Sequence, residues 1–384
     1  MKRVQAYQYE LIPNGEQKRN MRRFAGSCRY VYNKALAVKK EAYEKEGKTI
    51  GYYGPEGTAK LLTKWRNDPE TQWLSEIPNH PLQQKLMDLQ RAYTNFFKKR
   101  AQFPRFRAKG VSDSFRFPTR TQFTIDQPNS RIKLSKLGWI RYRNSREILG
   151  TAKNITISIK ADKFYASIQT ERDVEDPVAE ATTATGIDRG ITRFATLSDG
   201  TFYSPLNSFR THQKTMAKLQ RAMSRKKKFS SNWKKTKAKV TKLHIKIGNC
   251  RNDYLHKTST EISQNHRTVF IEDLKVVNMS SSAKGTIEKP GRNVKAKSGL
   301  NKSILDQGWG EFNRQLTYKL EWNGGRLETV PPEYTSQRCP SCNHVSQENR
   351  KTQATFRCVE CDYKENADTV AALNIERAGR AQLA

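Results

Sequence analysis

The alternation of apolar and polar residues predicts a strand at the start of the chain, followed by helices. Residues 3–11 alternate as a half-exposed strand, and Pro13-Asn14-Gly15 ends it. Apolar residues then recur at helical spacing from Met21 to Leu36 and again from Leu82 to Phe96. Residues 16–103 are therefore predicted to form a small helical unit.

Short strand patterns separated by glycine and polar turns follow the helices. They fall at residues 131–134, 139–143, 154–159 and 163–168. These strands predict a small barrel or sandwich that residues 3–11 would join, which makes the helical unit an insertion into an all-β domain. Residues 173–184 are acidic and rich in Ala and Thr, which indicates a linker.

After the linker the pattern changes to strand, hairpin, helices, strand, helix, strand, helix. Strands are predicted to end near Gly190 and at Glu272, and another covers residues 326–330. The Ser/Gly/Lys-rich residues 279–302 follow Glu272 and predict a mobile, lid-like loop, because long structureless loops in compact domains are commonly functional or disordered.

Residues 210–257 hold 16 lysines or arginines and one acid, Asp253. Their spacing predicts two antiparallel basic helices joined by a turn at residues 230–232. Charge runs are usually solvated faces, but like charges one helical turn apart repel each other, so a bound phosphate backbone explains the pattern better. The candidate contacts on the two helix faces are Lys214, Lys218, Arg221 and Arg225, and Lys235, Lys239, Lys242 and Lys246.

Composition indicates a polyanionic partner. Lys plus Arg number 71 against 37 Asp plus Glu, so the net charge is +34 and the pI is about 10.0. Nucleic acid is favoured over a membrane surface, because no apolar run approaches the roughly 20 residues of a membrane span and Met1-Lys-Arg leads into a polar strand. We expect the cytoplasm, in association with the nucleoid. The length predicts two or three domains.

Aromatic and basic residues alternate at residues 103–107 and 114–118, as on a surface that stacks bases and holds phosphates. Arg105, Arg107 and Arg116 are the candidate phosphate contacts there. The alternative is a basic-faced strand that packs its phenylalanines inward.

Four cysteines near the C-terminus have the spacing of a zinc site. Cys339 and Cys342 form one Cys-x2-Cys pair, and Cys358 and Cys361 form the second after 15 residues. Each pair directs two thiolates at one tetrahedral Zn²⁺, and two disulfides or four unrelated core thiols are the alternatives. The lone Cys28 and Cys250 are interpreted as buried structural thiols in a reducing compartment.

Three acids occupy the ends of predicted elements in the second half. Asp188 and Glu272 each close a strand, and Asp368 opens the last helix. Each acid could merely cap a turn or, at a helix N-terminus, interact favourably with the helix dipole. An RNase H-like fold, however, brings the ends of these two strands and the start of the last helix together. Converging carboxylates repel without cations, so the set predicts two Mg²⁺ ions for phosphodiester cleavage, with Asp273 on the opposite side of its strand.

Several residue strings resemble the TnpB family, transposon-encoded nucleases with a RuvC-like domain that are related to type V CRISPR effectors. The resemblance spans nearly the whole chain, and its most specific part is the cysteine region with the final acidic helix. The strings are Phe24-Ala-Gly-Ser-Cys-Arg-Tyr-Val-Tyr-Asn33, Gly186-Ile-Asp-Arg-Gly190, Arg251-Asn-Asp-Tyr-Leu-His-Lys-Thr-Ser259, Ile271-Glu-Asp-Leu-Lys275, Asp306-Gln-Gly-Trp-Gly-Glu-Phe312, Tyr334-Thr-Ser-Gln-Arg-Cys339-Pro-Ser-Cys342, Cys358-Val-Glu-Cys361 and Asn366-Ala-Asp-Thr-Val-Ala-Ala-Leu-Asn374.

The resemblance implies a multidomain α/β protein that acts as an RNA-guided DNA endonuclease. A guide RNA from the transposon end would pair with one strand of double-stranded DNA beside a short transposon-adjacent motif, and one RuvC site would cut both strands. By match, Asp188, Glu272 and Asp368 hold Mg²⁺, and the four cysteines hold one Zn²⁺. The implied domains are a β-barrel wedge domain (1–15 and 104–180), a helical recognition domain (16–103), a RuvC-like domain (181–334 and 364–384) and an inserted zinc ribbon (335–363).

Two other functions remain open from the sequence. An RNA-guided regulator that binds DNA without cutting would be marked by loss of a catalytic acid, and none is missing here. An RNA-independent transposase or structure-specific nuclease shares the fold and the metal chemistry, although the large basic N-terminal half favours an RNA cargo. The sequence leaves the oligomeric state, the guide and the adjacent motif open.

Overall fold

The computed structural model describes residues 1–383, which divide into two compact units, Met1–Glu175 and the part from Asp176 onward. The division falls in the segment that the sequence predicts to be a linker, where residues 174–183 form neither helix nor strand. Within the described part of the chain, every helix is too short or too polar to cross a membrane.

The first unit is one antiparallel sheet with a helical segment inserted after its first strand. The strand order is β2-β6-β7-β1-β5-β4-β3, so β1 lies inside the sheet and the helices interrupt the chain between strands that share it. Each predicted strand of this unit corresponds to an observed one, while the assignment of the helices to a separate inserted domain stays a prediction. The elements are β1 (Lys2–Ile12), α1 (Gly15–Glu46), α2 (Thr58–Asn67), α3 (Asn79–Phe97), β2 (Ser114–Phe117), β3 (Phe123–Asp126), β4 (Arg131–Leu134), β5 (Gly138–Tyr142), β6 (Thr151–Lys160) and β7 (Lys163–Asp173).

Local chemistry explains where the first helix begins. The Asn14 side chain accepts a hydrogen bond from the Gln17 backbone N–H, and the Gln17 side chain accepts one from the Asn14 N–H, which completes a capping box directly after Pro13. The helix ends at Gly47, whose φ of 65° suits the left-handed cap.

The structure corrects the interpretation of residues 114–118 as a base-stacking surface. Phe115 and Phe117 are both 0 % exposed, and Phe115 packs edge-on against Phe24. Arg116 lies on the other face of β2, where it donates hydrogen bonds to Asn154 and Gln169. The inward-packing alternative is therefore right for these phenylalanines, since side chains alternate between the faces of a strand.

The second unit is built on a mixed sheet of five strands in the order β10-β9-β8-β11-β12. The first three strands pair antiparallel, whereas β8, β11 and β12 run parallel. The elements are β8 (Ala184–Asp188), β9 (Ala195–Leu197), β10 (Phe202–Tyr203), α4 (Ser208–Ser224), α5 (Ser231–Asn265), β11 (Thr268–Glu272), α6 (Val276–Met279), α7 (Val294–Gln307), α8 (Trp309–Trp322), β12 (Arg326–Val330), β13 (Thr355–Arg357), β14 (Lys364–Asn366) and α9 (Ala367–Leu383). The predicted order of strands and helices is confirmed.

The predicted pair of basic helices corresponds to α4 and α5, but the turn lies earlier than expected. Residues 225–230 form it, and Ser230 caps α5 by accepting a hydrogen bond from the Trp233 N–H. Residues 231 and 232, which were assigned to the turn, already belong to the helix.

The predicted lid-like loop at residues 279–302 is only partly irregular. Residues 280–293 lack helix and strand, but Val294–Gln307 form α7, which ends with Ile304 in the core of the unit. The Ser/Gly/Lys composition suggested a loop because the segment has few apolar residues, yet packing of its C-terminal end favours the helix.

Two close approaches of helix and sheet position α9. A Cβ added at Gly186 would lie 2.2 Å from the Ala372 carbonyl oxygen, and one added at Gly379 would lie 1.9 Å from the Phe270 ring. Only glycine permits such contact. The helix therefore lies directly on β8 and β11, with its first turn near their carboxyl ends.

Candidate active site and metal centre

Asp188 and Glu272 lie side by side at one edge of the second sheet. Strands β8 and β11 pair in parallel with Ile187 opposite Ile271, so the two acids are the next residues on adjacent strands. Neighbouring strands of a sheet lie about 4.8 Å apart. Both side chains are half-buried, whereas the neighbouring Asp273 is exposed. The alternation of side chains along the strand thus directs Glu272, but not Asp273, toward the partly buried edge.

Asp368 approaches this edge from the first turn of α9. Strand β14 leads directly into α9 at Ala367, and the Asp368 backbone N–H donates to the Asn366 side chain at 3.0 Å, which fixes the start of the helix. The half-buried carboxylate then acts electrostatically on Asp188. The structure brings all three predicted acids to one place.

The three acids affect one another electrostatically. Burial, followed by the negative charges of Glu272 and Asp368, raises the pKa of Asp188 to about 7, while Arg350 and Arg189 act in the opposite direction. Arg350 comes from the cysteine-containing segment, and its guanidinium lies 3.5 Å from the Asp368 carboxylate. An arginine thus supplies positive charge beside carboxylates that would otherwise repel.

Glu272 is held at its side chain and at its backbone. The Thr335 hydroxyl donates to Glu272 Oε1 at 2.6 Å, and Thr335 is itself buried. Arg189, also buried, donates to the Glu272 backbone carbonyl at 2.5 Å and to the Asn313 side chain of α8 at 2.8 Å. These bonds fix both the direction of the carboxylate and the end of β11.

The four predicted cysteines form one cluster whose sulfur atoms all lie within 4.8 Å of one another. Cys339 and Cys361 are 3.6 Å apart, as are Cys342 and Cys358. Sulfurs bound tetrahedrally at 2.3 Å from one Zn²⁺ stand about 3.8 Å apart, so the cluster fits zinc and does not form two disulfides. The pKa of Cys361 is lowered, first by a backbone N–H bond from Tyr363, whereas the pKa values of Cys339 and Cys342 are raised, so Cys361 is the thiol of the cluster that ionises most readily.

Both cysteine pairs use the same backbone turn. In each, the first cysteine's carbonyl accepts from the residue that follows the second cysteine, Asn343 or Asp362, and both of these have positive φ. Asn and Asp tolerate the left-handed conformation better than most residues. Buried Asn349 links the pairs, since it donates to the His344 carbonyl and accepts from the Val359 N–H.

The cysteine segment is tied to the carboxylate edge by Asn374 of α9. Its Nδ2 donates to the Thr335 carbonyl at 2.8 Å and to the Arg338 carbonyl at 2.7 Å. The same Thr335 holds Glu272, so α9, the cysteine segment and β11 share one hydrogen-bonded junction.

Among the residues that the structure describes, only the cysteines bring three or more metal-ligand atoms so close together. Asp188, Glu272 and Asp368 do not form such a group.

The basic helix faces are open to solvent. All eight predicted contacts are exposed, seven on α4 and α5 and Arg225 in the turn between them, and none of them forms an ion pair with the residues described at positions 1–383. In the first unit Arg105 is exposed, whereas Arg107 lies over the Tyr32 ring at 4.0 Å and Arg116 is engaged within the sheet. Their role in nucleic-acid binding stays a prediction.

Four residues of the junction were not predicted from the sequence: Arg189, Thr335, Arg350 and Asn374. Three of them lie inside strings that carry the family resemblance, although neither charge nor periodicity assigned them a role. Arg350 lies outside those strings, and only the fold brings it to Asp368. Cys250 is also corrected, because it is exposed on α5, whereas Cys28 is buried as predicted.

Comparison with solved structures defines the class of fold. A cryo-EM structure of a Cas12f1–sgRNA–target DNA complex matches with a TM-score of 0.56 and 14 % identity, covering 94 % of this chain and 83 % of that one. The protein therefore has the mixed α/β, multidomain fold of the Cas12f1 effector protein.

Three family models match the chain. One described as "Probable transposase" covers residues 167–283, one described as "Cas12f1-like, TNB domain" covers 309–375, and one described as "Helix-turn-helix domain" covers 1–48. In the structure the last range holds β1 and the single long helix α1.

Curated relatives match over the whole chain. InsQ of Escherichia coli (strain K12), which its name places among RNA-guided DNA endonucleases, is 55 % identical over 384 residues, covering 100 % of this chain and 94 % of that protein. A Streptomyces pristinaespiralis protein of the same designation is 33 % identical over 98 % of this chain and 89 % of its own length. The chain belongs to the TnpB family, as its sequence strings indicate.

Proposed function

We propose that this protein is an RNA-guided DNA endonuclease. A guide RNA from the transposon end would direct it to double-stranded DNA next to a short transposon-adjacent motif, where it would cut both strands. The observation that carries the proposal is the convergence of Asp188, Glu272 and Asp368 in a chain 55 % identical to InsQ along its full length. A member that only bound DNA would not need three acids held together against their repulsion.

The domain assignment belongs to the same proposal. The strand order β10-β9-β8-β11-β12, with α9 on β8, supports an RNase H-like, RuvC-type core for residues 181–334 and 364–384. The seven-stranded antiparallel sheet supports a barrel-type wedge domain, and α1 to α3 the recognition unit inserted in it. Residues 335–363 would form the zinc ribbon.

The carboxylates would act as the metal ligands of the cleavage site. Two Mg²⁺ ions held by Asp188, Glu272 and Asp368, when bound, would supply activation of the attacking water and stabilisation of the leaving 3′ oxygen. The chain's own groups orient these ligands: Thr335 fixes one Glu272 oxygen, and Arg189 fixes the end of β11. Arg350, already beside Asp368, is placed to pair with the negative phosphate that enters the site.

The exposed basic helices α4 and α5 and the basic first unit would bind guide RNA and the guide–target heteroduplex. A net charge of +34 provides the counterion release that drives such binding, and base pairing rather than side chains would read the sequence.

The test of the catalytic assignment is Asp188→Ala. It should abolish Mg²⁺-dependent cleavage while RNA and target binding persist, because the removed group is a metal ligand at one edge of the site. Asp273→Asn is the matched control, since this exposed neighbouring acid lies outside the cluster and its variant should still cut. Cleavage by Asp188→Ala protein would refute the assignment.

One specific observation favours a second function, an RNA-independent transposase: the family model for residues 167–283 is described as "Probable transposase". Expression with the native flanking locus, followed by sequencing of copurified RNA, separates the two. A discrete transcript that contains the transposon end supports RNA guidance, and bulk cellular RNA supports the second function.

Zinc content tests the ribbon. The geometry of the four sulfurs predicts about one Zn²⁺ per chain by elemental analysis. Cys358→Ser should lower this content and destabilise the ribbon, whereas Cys250→Ser, at an exposed position on α5, should leave it unchanged. A protein purified without zinc that keeps its ribbon folded would contradict the assignment.

A further inference from the structure

The turn between α4 and α5 carries an exposed aromatic pair. Phe229 is 64 % exposed at the tip, and its ring lies 5.5 Å from that of the half-buried Trp233 in the first turn of α5. The basic faces described above lie along the helices, so neither their charge nor their spacing accounts for aromatic rings at this tip.

The two helices form an arm that stabilises itself. Met216 of α4 packs with Val240 and Ile247 of α5 in a small cluster of their own, whereas α5 joins the main core of the unit from Tyr254 onward. At 1.5 Å per residue, Ser231 lies about 35 Å along α5 from Tyr254. The tip therefore projects well beyond the sheet.

Phe229 adopts a backbone conformation that phenylalanine disfavours. Its φ is +69°, in the left-handed region where glycine or asparagine fits and a bulky side chain is strained. Because most of the ring is exposed, burial does not compensate for the strain. The hydrogen-bonded turn from Lys227 to Ser230 places this residue in the left-handed region, but glycine would adopt it without strain. The presence of phenylalanine there points to a function for its side chain.

Cations surround the rings. Lys228 Nζ lies 5.2 Å from the centre of the Phe229 ring, and Lys237 Nζ lies 5.2 Å from that of Trp233. Arg225, Lys227 and Lys228 are exposed, while Lys226 is tied to Thr236 by a hydrogen bond. The arm contains no acid from residue 210 to residue 252. An aromatic face within reach of several cations is complementary to a base with its flanking phosphates.

We propose that the arm tip binds an unstacked nucleobase of a single-stranded polynucleotide, with Phe229 as the stacking surface and Arg225, Lys227 and Lys228 on the adjacent phosphates. Such a site is distinct from phosphate contacts along the helix faces, because it requires a base that is free of its duplex. Although Lys228 and Trp233 both lie beside Phe229, this residue is 64 % exposed, which leaves ring surface accessible to a base.

The test uses the full-length protein, freed of nucleic acid by high salt. It measures binding of single strands of about ten nucleotides, oligo-U RNA and oligo-dT DNA, each of which carries one 2-aminopurine. Phe229→Leu keeps the apolar bulk and removes the π face. It should weaken binding about tenfold, because one base loses its stacking surface. The salt dependence should stay the same, because no phosphate contact is removed. Phe229→Trp should restore the affinity.

Two further variants separate charge and folding from stacking. Lys227→Ala should reduce the salt slope by about 0.7, the value for one phosphate of a single strand. Phe229→Gly should relieve the backbone strain, so its melting temperature should stay the same or rise while binding falls. Tyr43→Leu, at an exposed aromatic position on α1, is the matched control and should bind as the parent does.

Parent affinity in Phe229→Leu would overturn the proposal. So would a lower melting temperature in Phe229→Gly, because the residue would then be structural. A preference for oligo-U or for oligo-dT identifies RNA or DNA as the occupant. These measurements need no cleavage, so their failure is distinguishable from failure of the proposed nuclease function.

Discussion

At the scale of single residues, the Thr335 hydroxyl is the group that orients the site. It lies within hydrogen-bonding distance of both Glu272 Oε1, at 2.6 Å, and the Pro332 carbonyl, at 3.1 Å, but it has one proton to donate. Donation to the carboxylate leaves the second oxygen of Glu272 free. Thr335 is thus a positioning residue, acting through Glu272.

Thr335→Val should weaken divalent-cation binding at the carboxylates about tenfold, because a hydrogen bond to a charged group contributes about 1.5–3 kcal/mol. Two measurements test this. Electron paramagnetic resonance monitors a titration with Mn²⁺ in the absence of DNA, and cleavage assays give the Mg²⁺ concentration needed for half-maximal activity. Thr335→Ser keeps the hydroxyl and should restore both values. An equal loss in Thr335→Ser, which keeps the hydroxyl, would contradict the positioning role of that hydroxyl.

Spacing along the chain is enough to predict two kinds of site residue. One kind is a metal ligand that recurs at a fixed interval, and the other is a charged residue at the end of a predicted strand or the start of a predicted helix. The cysteine pairs and the three acids were found in this way, and the structure brings each set together. Spacing could not predict Arg350 and Asn374, because their partners are distant in the sequence. Arg350 pairs with Asp368 and Asn374 donates to the Thr335 carbonyl only in the folded protein. Cys250 was misassigned because helical spacing alone does not say which face is buried.

At the scale of elements, Asp306 attaches the basic arm to the core. Buried at the end of α7, its carboxylate accepts from the Ser208 hydroxyl and from the backbone N–H groups of Phe209 and Arg210, the first turn of α4. Arg251 of α5 lies 3.5 Å from the same carboxylate. One side chain from a distant segment thus caps one helix of the arm and pairs with the other.

Asp306→Ala should destabilise the second unit by about 2–3 kcal/mol, because it removes a helix cap and leaves Arg251 without its partner. Urea unfolding measures the decrease in stability, and hydrogen exchange should rise first in α4. Asp253→Ala breaks an exposed pair with Lys257 and should change stability by less than about 0.5 kcal/mol. Similar effects for both variants would contradict the anchoring role.

Element order was predictable from hydrophobic periodicity, whereas the segment around α7 was not. Residues 279–302 have few apolar positions, so their pattern contains no helical signal until Ile304. The helix depends on long-range interactions at its C-terminal end, including those of Asp306, and a local pattern does not contain that information.

At the scale of the whole molecule, charge dominates. A net charge of +34 opposes a compact free state, and polynucleotide binding relieves that repulsion. The exposed, unpaired lysines of α5 concentrate the effect along one long helix.

Replacement of Lys235, Lys239 and Lys242 by glutamate should weaken RNA binding and reduce the dependence of log affinity on log salt by about 0.7 to 0.9 for each phosphate that α5 no longer neutralises, the range between a single strand and a B-form duplex. Affinity measured across a salt series gives both quantities. A variant with the same change in net charge at exposed Lys289, Lys295 and Lys302 is the control. Equal effects in the two variants would mean that overall charge, not the α5 face, determines affinity.

The direct passage of β14 into α9 has a consequence for protein synthesis. If the proposed catalytic set is right, its third acid is translated after both basic helices and after the cysteine ribbon. A ribosome that stalls before residue 367 would release a product with both basic helices and without Asp368. Because α9 also packs on β8 and β11, such a product would lack part of the core of the second unit together with the third acid, so completion of that core and completion of the proposed site coincide in the last helix to be made.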